Sequence, residues 1–244
     1  MKISNRYSMQ TKIVFVLACA PENNYIEQAL LATYSVRIHN PSALIILIVD
    51  DITDRLITDD RKKILNYISE KIVVPFEGDE NMLYRSRWIK TSVRELIDGD
   101  FLFIDCDTII TKCLEIVDSY SYQIGAVPDS NLCIRQFGPS LMKATKKKVA
   151  PLDIDLTQEE YYFSSGVLYV KDTDDAHSLY KKWHSIWLEG VSKGVNIDQP
   201  SLAKANIELG HMIKRIPDGF NCIMYTQPDF AKDAFILHFA AYRN

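Results

Sequence analysis

Four consecutive apolar residues, Phe101 to Ile104, are followed directly by two aspartates, Asp105 and Asp107, with Cys106 between them. An uninterrupted apolar run is typical of a strand that is covered on both faces, as in α/β proteins. In such sheets the residues that follow a strand lie at its carboxyl edge, where ligands bind. Two carboxylates so close together repel each other unless a cation lies between them, and a divalent cation that carries a substrate phosphate supplies that charge. We therefore expect Asp105 and Asp107 to lie at a site of nucleotide or phosphate chemistry.

Other apolar runs alternate with helical patterns along the first half of the chain. The predicted strands there span residues 13–20, 43–49, 72–74 and 101–105, and the predicted helices span 25–38, 58–69 and 82–97. This alternation predicts an α/β fold with a mostly parallel central sheet and flanking crossover helices. The second half is less regular, with strands expected at 123–128, 161–171 and 235–239, helices at 174–191 and 199–209, and a loop or mobile segment at 132–150.

Length and charge narrow the class of protein. A chain of 244 residues without a linker, repeat or low-complexity segment favours one large α/β domain over two small ones. The 28 Lys and Arg residues are outnumbered by 32 Asp and Glu residues, so no overall basic field recommends a nucleic acid as a partner. Trp183 and Trp187, four residues apart on one predicted helix, are expected in the core.

The cysteines and the apolar segments bear on localisation. The five cysteines are scattered and form no C-x-x-C pair, which favours free thiols in a reducing compartment, hence the cytoplasm. The run at 13–20, preceded by Lys12, also resembles a short signal segment, but its eight residues make an equally good first strand and we favour that interpretation. No stretch approaches the roughly 20 apolar residues that cross a bilayer. The basic run from Lys143 to Lys148 is compatible with peripheral association at the inner membrane face, although such runs are most often only solvated.

The aspartate pair allows three interpretations. The first is a solvated strand end, since carboxylates are common in turns. The second is a phosphatase of the haloacid dehalogenase type, but its motif requires a threonine two residues after the second aspartate, whereas Thr108 follows Asp107 directly, and the motif normally follows the first strand. The third is a nucleotide-sugar glycosyltransferase. Here a nucleotide-sized α/β half precedes the pair, which favours the third interpretation.

Several further segments carry a family resemblance: Ala20-Pro21-Glu22-Asn23-Asn24-Tyr25, the helix start at Tyr84–Lys90, Tyr162-Phe163-Ser164-Ser165-Gly166, Asp198-Gln199, and His238 in the last strand. With the aspartate pair, they resemble the glycosyltransferase A fold, most closely the family-eight type of retaining galactosyl- and glucosyltransferases of bacterial surface polysaccharides. The resemblance covers residues 12–110 and 161–239. It implies that residues 12–110 bind the nucleotide sugar, and that residues 111–244 bind the acceptor and complete the metal site.

The resemblance implies a nucleoside site at the first turn and a diphosphate site beside it. In the turn that begins at Ala20, Tyr25 would stack on the base, Glu22 would accept a hydrogen bond from the uracil imide, and Asn24 would touch the ribose. The alternative for Tyr25 is an aromatic residue packed at a helix start. Arg87 and Lys90, three residues apart on one helical face, would supply positive charge to the diphosphate. The alternative for this pair is a solvated basic face.

The resemblance also implies a metal. Asp105, Asp107 and His238 would hold Mn²⁺ or Mg²⁺, with Asp105 bridging the metal and the ribose, and Cys106 would line the site between them. Imidazole suits manganese better than magnesium. The alternative for His238 is a satisfied core histidine. The family continues with a glycine and a lysine after this histidine, whereas this chain has Ala240 and, as a substitute cation, Arg243.

On the sugar side, the resemblance assigns Asp198 to sugar hydroxyls and Gln199 to the β face of the sugar. Ser164 replaces the asparagine of the family strand, Ser165 follows it, and Asp129 is a weaker candidate for the same pocket. As the residue before a predicted helix, Asp198 has an alternative role as its N-terminal cap.

The expected activity is metal-dependent transfer of a hexose from a UDP-sugar to a glycan or glycolipid hydroxyl, with retention of configuration. One alternative is a sugar nucleotidyltransferase. The glycine-free segment from Ala18 to Pro21 argues against it, because such enzymes carry a glycine-rich loop there. The other alternative is a non-catalytic nucleotide- or glycan-binding module of the same fold.

Overall fold

The computed structural model describes residues 9–76, 81–226 and 228–240. Ten strands are present in this part of the chain: β1 (Lys12–Leu17), β2 (Ile45–Asp50), β3 (Glu70–Val74), β4 (Phe101–Ile104), β5 (Thr108–Ile110), β6 (Ile124–Pro128), β7 (Phe163–Val170), β8 (Ile213–Arg215), β9 (Cys222–Ile223) and β10 (Ile236–His238). The α-helices are α1 (Tyr25–His39), α2 (Asp51–Leu56), α3 (Met82–Leu96), α4 (Pro139–Val149), α5 (Asp174–Ser192) and α6 (Gln199–Glu208). Short 3₁₀ helices connect several of them.

Seven strands form the central sheet in the order β3-β2-β1-β4-β7-β6-β8. β1 is an inner strand that pairs in parallel with β2 and β4, and β2 pairs in parallel with β3. β7 is the reversed strand, antiparallel to both β4 and β6. The expected α/β architecture with a mostly parallel sheet is therefore confirmed.

The two faces of the sheet build separate cores because successive strand residues point to opposite sides. In β1, Ile13 and Phe15 join one core, which includes the inner face of α1, whereas Val14 joins the other, which includes Trp183 of α5. Trp183 and Trp187 are both buried, as expected from the sequence. The unbroken apolar runs of β1, β2 and β4 thus reflect burial on both faces.

A second sheet of three strands, in the order β5-β10-β9, returns the end of the chain to the carboxyl edge of β4. β10 runs antiparallel to β5 and parallel to β9. This pairing places His238 opposite Thr108, the residue that follows Asp107. The short sheet therefore brings the last strand to the aspartate pair.

Two expectations about local structure are wrong. The segment 132–150, expected as a loop, contains α4, which begins with Pro139, a residue favoured at the first helical position. Thr145 and Val149 face inward from α4, so its lysine run is the solvent-exposed face of a helix. The helix expected at 58–69 is a 3₁₀ helix over Asp59–Asn66. The short elements α2, β5, β8 and β9 were not expected.

No α-helix in the described ranges combines the length and the apolar character needed to span a bilayer.

Candidate active site

Asp105, Asp107 and His238 converge at the carboxyl end of β4. Each offers one ligand atom, and these atoms all lie within 4.8 Å of one another. His238 Nε2 lies 3.2 Å from Asp107 Oδ1, and the backbone N–H of Phe239 donates to the Asp107 carbonyl at 2.8 Å. The convergence of residues so distant in the sequence follows from the pairing of β10 with β5.

Asn221, directly before β9, fixes the orientation of the His238 ring. The Asn221 amide donates to Ser164 Oγ at 2.9 Å, so its Oδ1 faces His238 Nδ1 at 2.8 Å. A carbonyl oxygen only accepts, which assigns the proton to Nδ1 and turns Nε2 towards the aspartates. A second hydrogen bond of this kind is typical of metal-binding histidines. Asn221 could not be found from the sequence, because a single asparagine beside a phenylalanine carries no pattern.

Gly166 lets β7 pass close to the three candidate ligands. A Cβ on Gly166 would lie 2.5 Å from His238 Cε1 and 3.1 Å from Asp105 Oδ2. The strand therefore forms a wall that only glycine allows at this point. Two carboxylates and an imidazole in this cradle fit a divalent cation, and the nitrogen donor favours manganese over magnesium.

Burial and charge act in opposite directions on these groups. Burial raises the pKa of Asp105, and nearby Lys90 only partly offsets this. Burial also acts to raise the pKa of Asp107, but the hydrogen bond and charge of His238 outweigh it and lower that pKa. Burial lowers the pKa of His238, and Asp107 raises it by more. Asp107 and His238 thus stabilise each other's charged forms.

Lys90 and Arg87, on the inner face of α3, join the aspartate pair to Asp198. Lys90 Nζ lies 2.9 Å from Asp105 Oδ1 and 3.1 Å from Asp198 Oδ2. Arg87 Nε lies 2.8 Å from the other oxygen of Asp198. Burial acts to raise the pKa of Asp198, but these two cations outweigh it and hold that pKa well below its ordinary range.

The structure argues against the alternative role of Asp198 as a helix cap. It occupies the N-cap position of α6, yet its side chain makes no capping hydrogen bond. The carboxylate instead turns to the cations of α3. Asp198 is only 4% exposed, and the charge of its carboxylate is compensated inside the protein by Arg87 and Lys90.

Gln199 and Asp129 meet beside Asp198. Gln199 Nε2 donates to Asp129 Oδ2 at 3.0 Å. Asp129 follows directly on β6, and the next two residues, Ser130 and Asn131, both adopt positive φ angles of 57° and 58°. Such conformations are strained in residues other than glycine and often occur at functional sites. The structure therefore brings Asp129 into contact with Gln199, the residue after Asp198.

The turn after β1 forms another wall of this edge. Glu22 and Asn24 are exposed, and Ala20 and Tyr25 are partly buried. Asn24 is the N-cap of α1, but its side chain makes no capping bond; the neighbouring Asn23 accepts from the Tyr25 N–H at 3.3 Å instead. Cys106 Sγ donates to the Val16 carbonyl at 3.3 Å, which holds the aspartate segment against β1.

A buried network behind this turn was also missed from the sequence. Asp50, at the end of β2, accepts from the backbone and hydroxyl of Thr53 at 2.7 and 2.9 Å. Arg85 Nε lies 3.2 Å from Asp50 Oδ2, and Arg85 Nη2 donates to the Cys19 carbonyl at 3.0 Å. The network thus connects the segment after β1, the end of β2 and α3. Arg243, the expected substitute cation, lies outside the described residues.

No protein-family model and no curated protein matches this sequence. Solved structures do match. The galactosyltransferase LgtC, in complex with donor and acceptor sugar analogues, superposes with a TM-score of 0.61 over 96% of this chain and 90% of LgtC, at 19% identity. The chain has the glycosyltransferase A fold.

Two further structures share the glycosyltransferase A fold with this chain. The apo form of the bifunctional glycosyltransferase WbbM gives a TM-score of 0.62 at 12% identity over 97% of this chain. This chain spans about half of WbbM, 47% of its length. Mouse xyloside xylosyltransferase 1, also in its apo form, gives 0.57 at 10% identity over 95% of this chain and 98% of its own. The fold resemblance expected from the sequence is therefore confirmed.

Proposed function

We propose that the protein is a metal-dependent glycosyltransferase that moves a hexose from a UDP-sugar to a hydroxyl of a glycan or glycolipid. The observation that carries this proposal is the convergence of Asp105, Asp107 and His238 at the carboxyl edge of β4, within 4.8 Å of one another. Ligands bind at this edge in open α/β sheets. The solved structures that share the fold are glycosyltransferases, and LgtC holds donor and acceptor sugar analogues.

Asp107 and His238 would hold a divalent cation, with Asp105 between the metal and the donor ribose. The cation would stabilise the negative charge that builds up on the departing diphosphate. The hydrogen bond from His238 Nδ1 to Asn221 keeps Nε2 directed at this position. The protein therefore presents two oxygen donors and one nitrogen donor without rearrangement of the ring.

The turn after β1 would hold the nucleoside. Tyr25 would stack on the base, Glu22 would accept from the uracil imide and Asn24 would contact the ribose. Their partial or full exposure leaves their side chains accessible to a ligand. The backbone of Ala20 and Cys106 would line the same site, since Cys106 holds the aspartate segment against β1.

Asp198, Gln199 and Asp129 would hold the donor sugar, with Ser165 on the facing strand. Both oxygens of Asp198 are engaged by cations, Oδ1 by Arg87 and Oδ2 by Lys90. A carboxylate paired in this way is a poor nucleophile, so Asp198 is better suited to accept hydrogen bonds from sugar hydroxyls. This favours retention through front-face attack, in which the leaving phosphate takes the acceptor proton, over an adduct on Asp198.

We place the enzyme in the cytoplasm, with its acceptor at the inner face of a membrane in polysaccharide synthesis. The exposed lysines of α4 support a peripheral association with anionic lipid. They lie on a helix face whose opposite side packs into the protein through Thr145 and Val149.

Calorimetric titration of UDP with and without Mn²⁺ tests the proposal. We expect Mn²⁺ to tighten UDP binding at least about tenfold, because the cation would join Asp107 and His238 to the diphosphate. Asp107→Ala should lose this enhancement. Asp60→Ala, which removes a 93%-exposed carboxylate, should keep it. Hydrolysis of a panel of nucleotide sugars with Mn²⁺ then identifies the donor. An affinity for UDP that is the same with and without Mn²⁺ would refute the proposal.

A further inference from the structure

Lys90 is a charged side chain enclosed by the protein. It is 2% exposed, and its ammonium group lies 5.0 Å from the centre of the Phe103 ring. Its contacts are with Asp105 Oδ1 at 2.9 Å, Asp105 Oδ2 at 3.2 Å, Asp198 Oδ2 at 3.1 Å and Ser165 Oγ at 3.5 Å. An ammonium group is buried at high cost unless carboxylates compensate it, and here two of them do.

The position of Lys90 sets it in competition with a bound metal. It contacts both oxygens of Asp105, which is one of the three candidate metal ligands. A cation bound by the same carboxylate would meet a fixed positive charge close by, in surroundings that screen charge poorly. The ammonium group therefore opposes a divalent cation that binds alone.

The same charge favours the cation once a diphosphate is present. With His238 neutral, as a histidine is when it binds a metal, the three carboxylates Asp105, Asp107 and Asp198 exceed the cations Lys90 and Arg87 by one charge. A divalent cation reverses that balance to a net positive one, which suits a diphosphate anion. Metal and nucleotide then bind better together than either does alone, because each compensates the charge of the other.

We propose that Lys90 is a built-in counter-ion that weakens metal binding to the free protein and so couples metal binding to donor binding. Lys90 is a positioning residue in this proposal, because it acts through Asp105 and Asp198. The inference rests on the proposed function to the extent that Asp105, Asp107 and His238 bind a metal.

The experiment measures Mn²⁺ binding to the nucleotide-free protein, by electron paramagnetic resonance of free Mn²⁺. We expect Lys90→Met to bind Mn²⁺ on the order of tenfold more tightly than the wild type, because a nearby positive charge has been removed. The enhancement of Mn²⁺ binding by UDP should shrink in the same variant. If Lys90 had only a structural role, Lys90→Met would bind Mn²⁺ more weakly than the wild type, since loss of its contacts would displace Asp105 and weaken the metal site.

A second pair of variants tests the inference even if Lys90→Met alone fails to fold. Lys90→Met leaves the buried carboxylate of Asp198 and the half-buried carboxylate of Asp105 without their shared partner, which is destabilising. The double variant Lys90→Met with Asp198→Asn removes one positive and one negative charge together. Its reference is Asp198→Asn alone, so the pair differs only at Lys90. We expect the double variant to bind Mn²⁺ on the order of tenfold more tightly than that reference.

The outcomes separate this inference from the proposed function. Tighter Mn²⁺ binding without Lys90, in either background, supports the counter-ion role. Unchanged or weaker binding, in variants that fold and with a wild type that binds Mn²⁺, overturns it and leaves the proposed function standing. If Mn²⁺ binds neither the wild type nor the variants, with or without UDP, the metal site itself is refuted, and both proposals fall.

Discussion

At the scale of single residues, the arrangement of the candidate metal ligands depends on a residue that has no side chain. Gly166 faces Asp105 and His238 from β7, where a Cβ would come within 2.5 Å of the imidazole. Contacts this short cannot persist, so either the ring or the strand has to shift. The absence of a side chain at Gly166 is therefore as important for the geometry of the site as the candidate ligands themselves.

Gly166→Ala should therefore disable the site without unfolding the protein. We expect Mn²⁺-enhanced UDP binding to fall at least about tenfold, because displaced metal ligands and their supports commonly cost 10–100-fold in affinity. Gly138→Ala is the matched control, since nothing lies within 4 Å of a Cβ there and its φ of −65° suits alanine. Calorimetry with Mn²⁺ and UDP measures both. Unchanged binding in Gly166→Ala would contradict the assignment of the ligands.

At the scale of elements, the central strands could be predicted from the sequence and the short elements could not. β1, β2 and β4 are buried on both faces, so their apolar runs are visible in the sequence. β5, β8 and β9 have two or three residues each, which is too short for any periodic pattern. These short strands form only because they pair with strands that are distant in the sequence. The helix α4 was missed for another reason: its many lysines obscured the narrow face that it buries.

The same limit applies to the site. Asp105 and Asp107 could be found because they end a buried strand, whereas His238 required a family resemblance. Asn221, Asp50 and Arg85 carry no such signal, since tertiary contacts alone bring them to their partners. The structure brings Asp105, Asp107 and His238 together, and the roles of all the expected site residues stay predictions.

Arg85 connects α3 to the end of β2 and to the segment after β1, so we expect its loss to destabilise the protein as a whole. Arg85→Met leaves Asp50, which is fully buried, without its cation. Breaking a buried ion pair from one side costs roughly 3–5 kcal/mol, and we expect a loss of this size in the free energy of unfolding by urea. Arg55→Met removes an exposed partner of Asp51 and should cost about 0.5 kcal/mol or less. Equal losses in the two variants would contradict the structural role of the network.

At the scale of the whole molecule, the candidate metal site joins the middle of the chain to the last strand of the described residues. Asp105 and Asp107 belong to the segment between β4 and β5, and His238 ends β10, the last strand of the described chain. The strand β10 is held by only short partners, β5 and β9. A metal bound here would therefore act as a cross-link between the central sheet and the small sheet.

Mn²⁺ should accordingly stabilise the whole chain. A ligand that binds only the folded state at 100 times its Kd adds about 2.7 kcal/mol to the free energy of unfolding. We expect a gain of this size with saturating Mn²⁺, reversed by EDTA, together with slower hydrogen exchange in β10. His238→Ala should lose the gain, whereas His211→Ala, at an exposed histidine paired with Glu159, should keep it. A gain that survives in His238→Ala would show that Mn²⁺ binds elsewhere, because only a site that includes His238 couples the last strand to the aspartate pair.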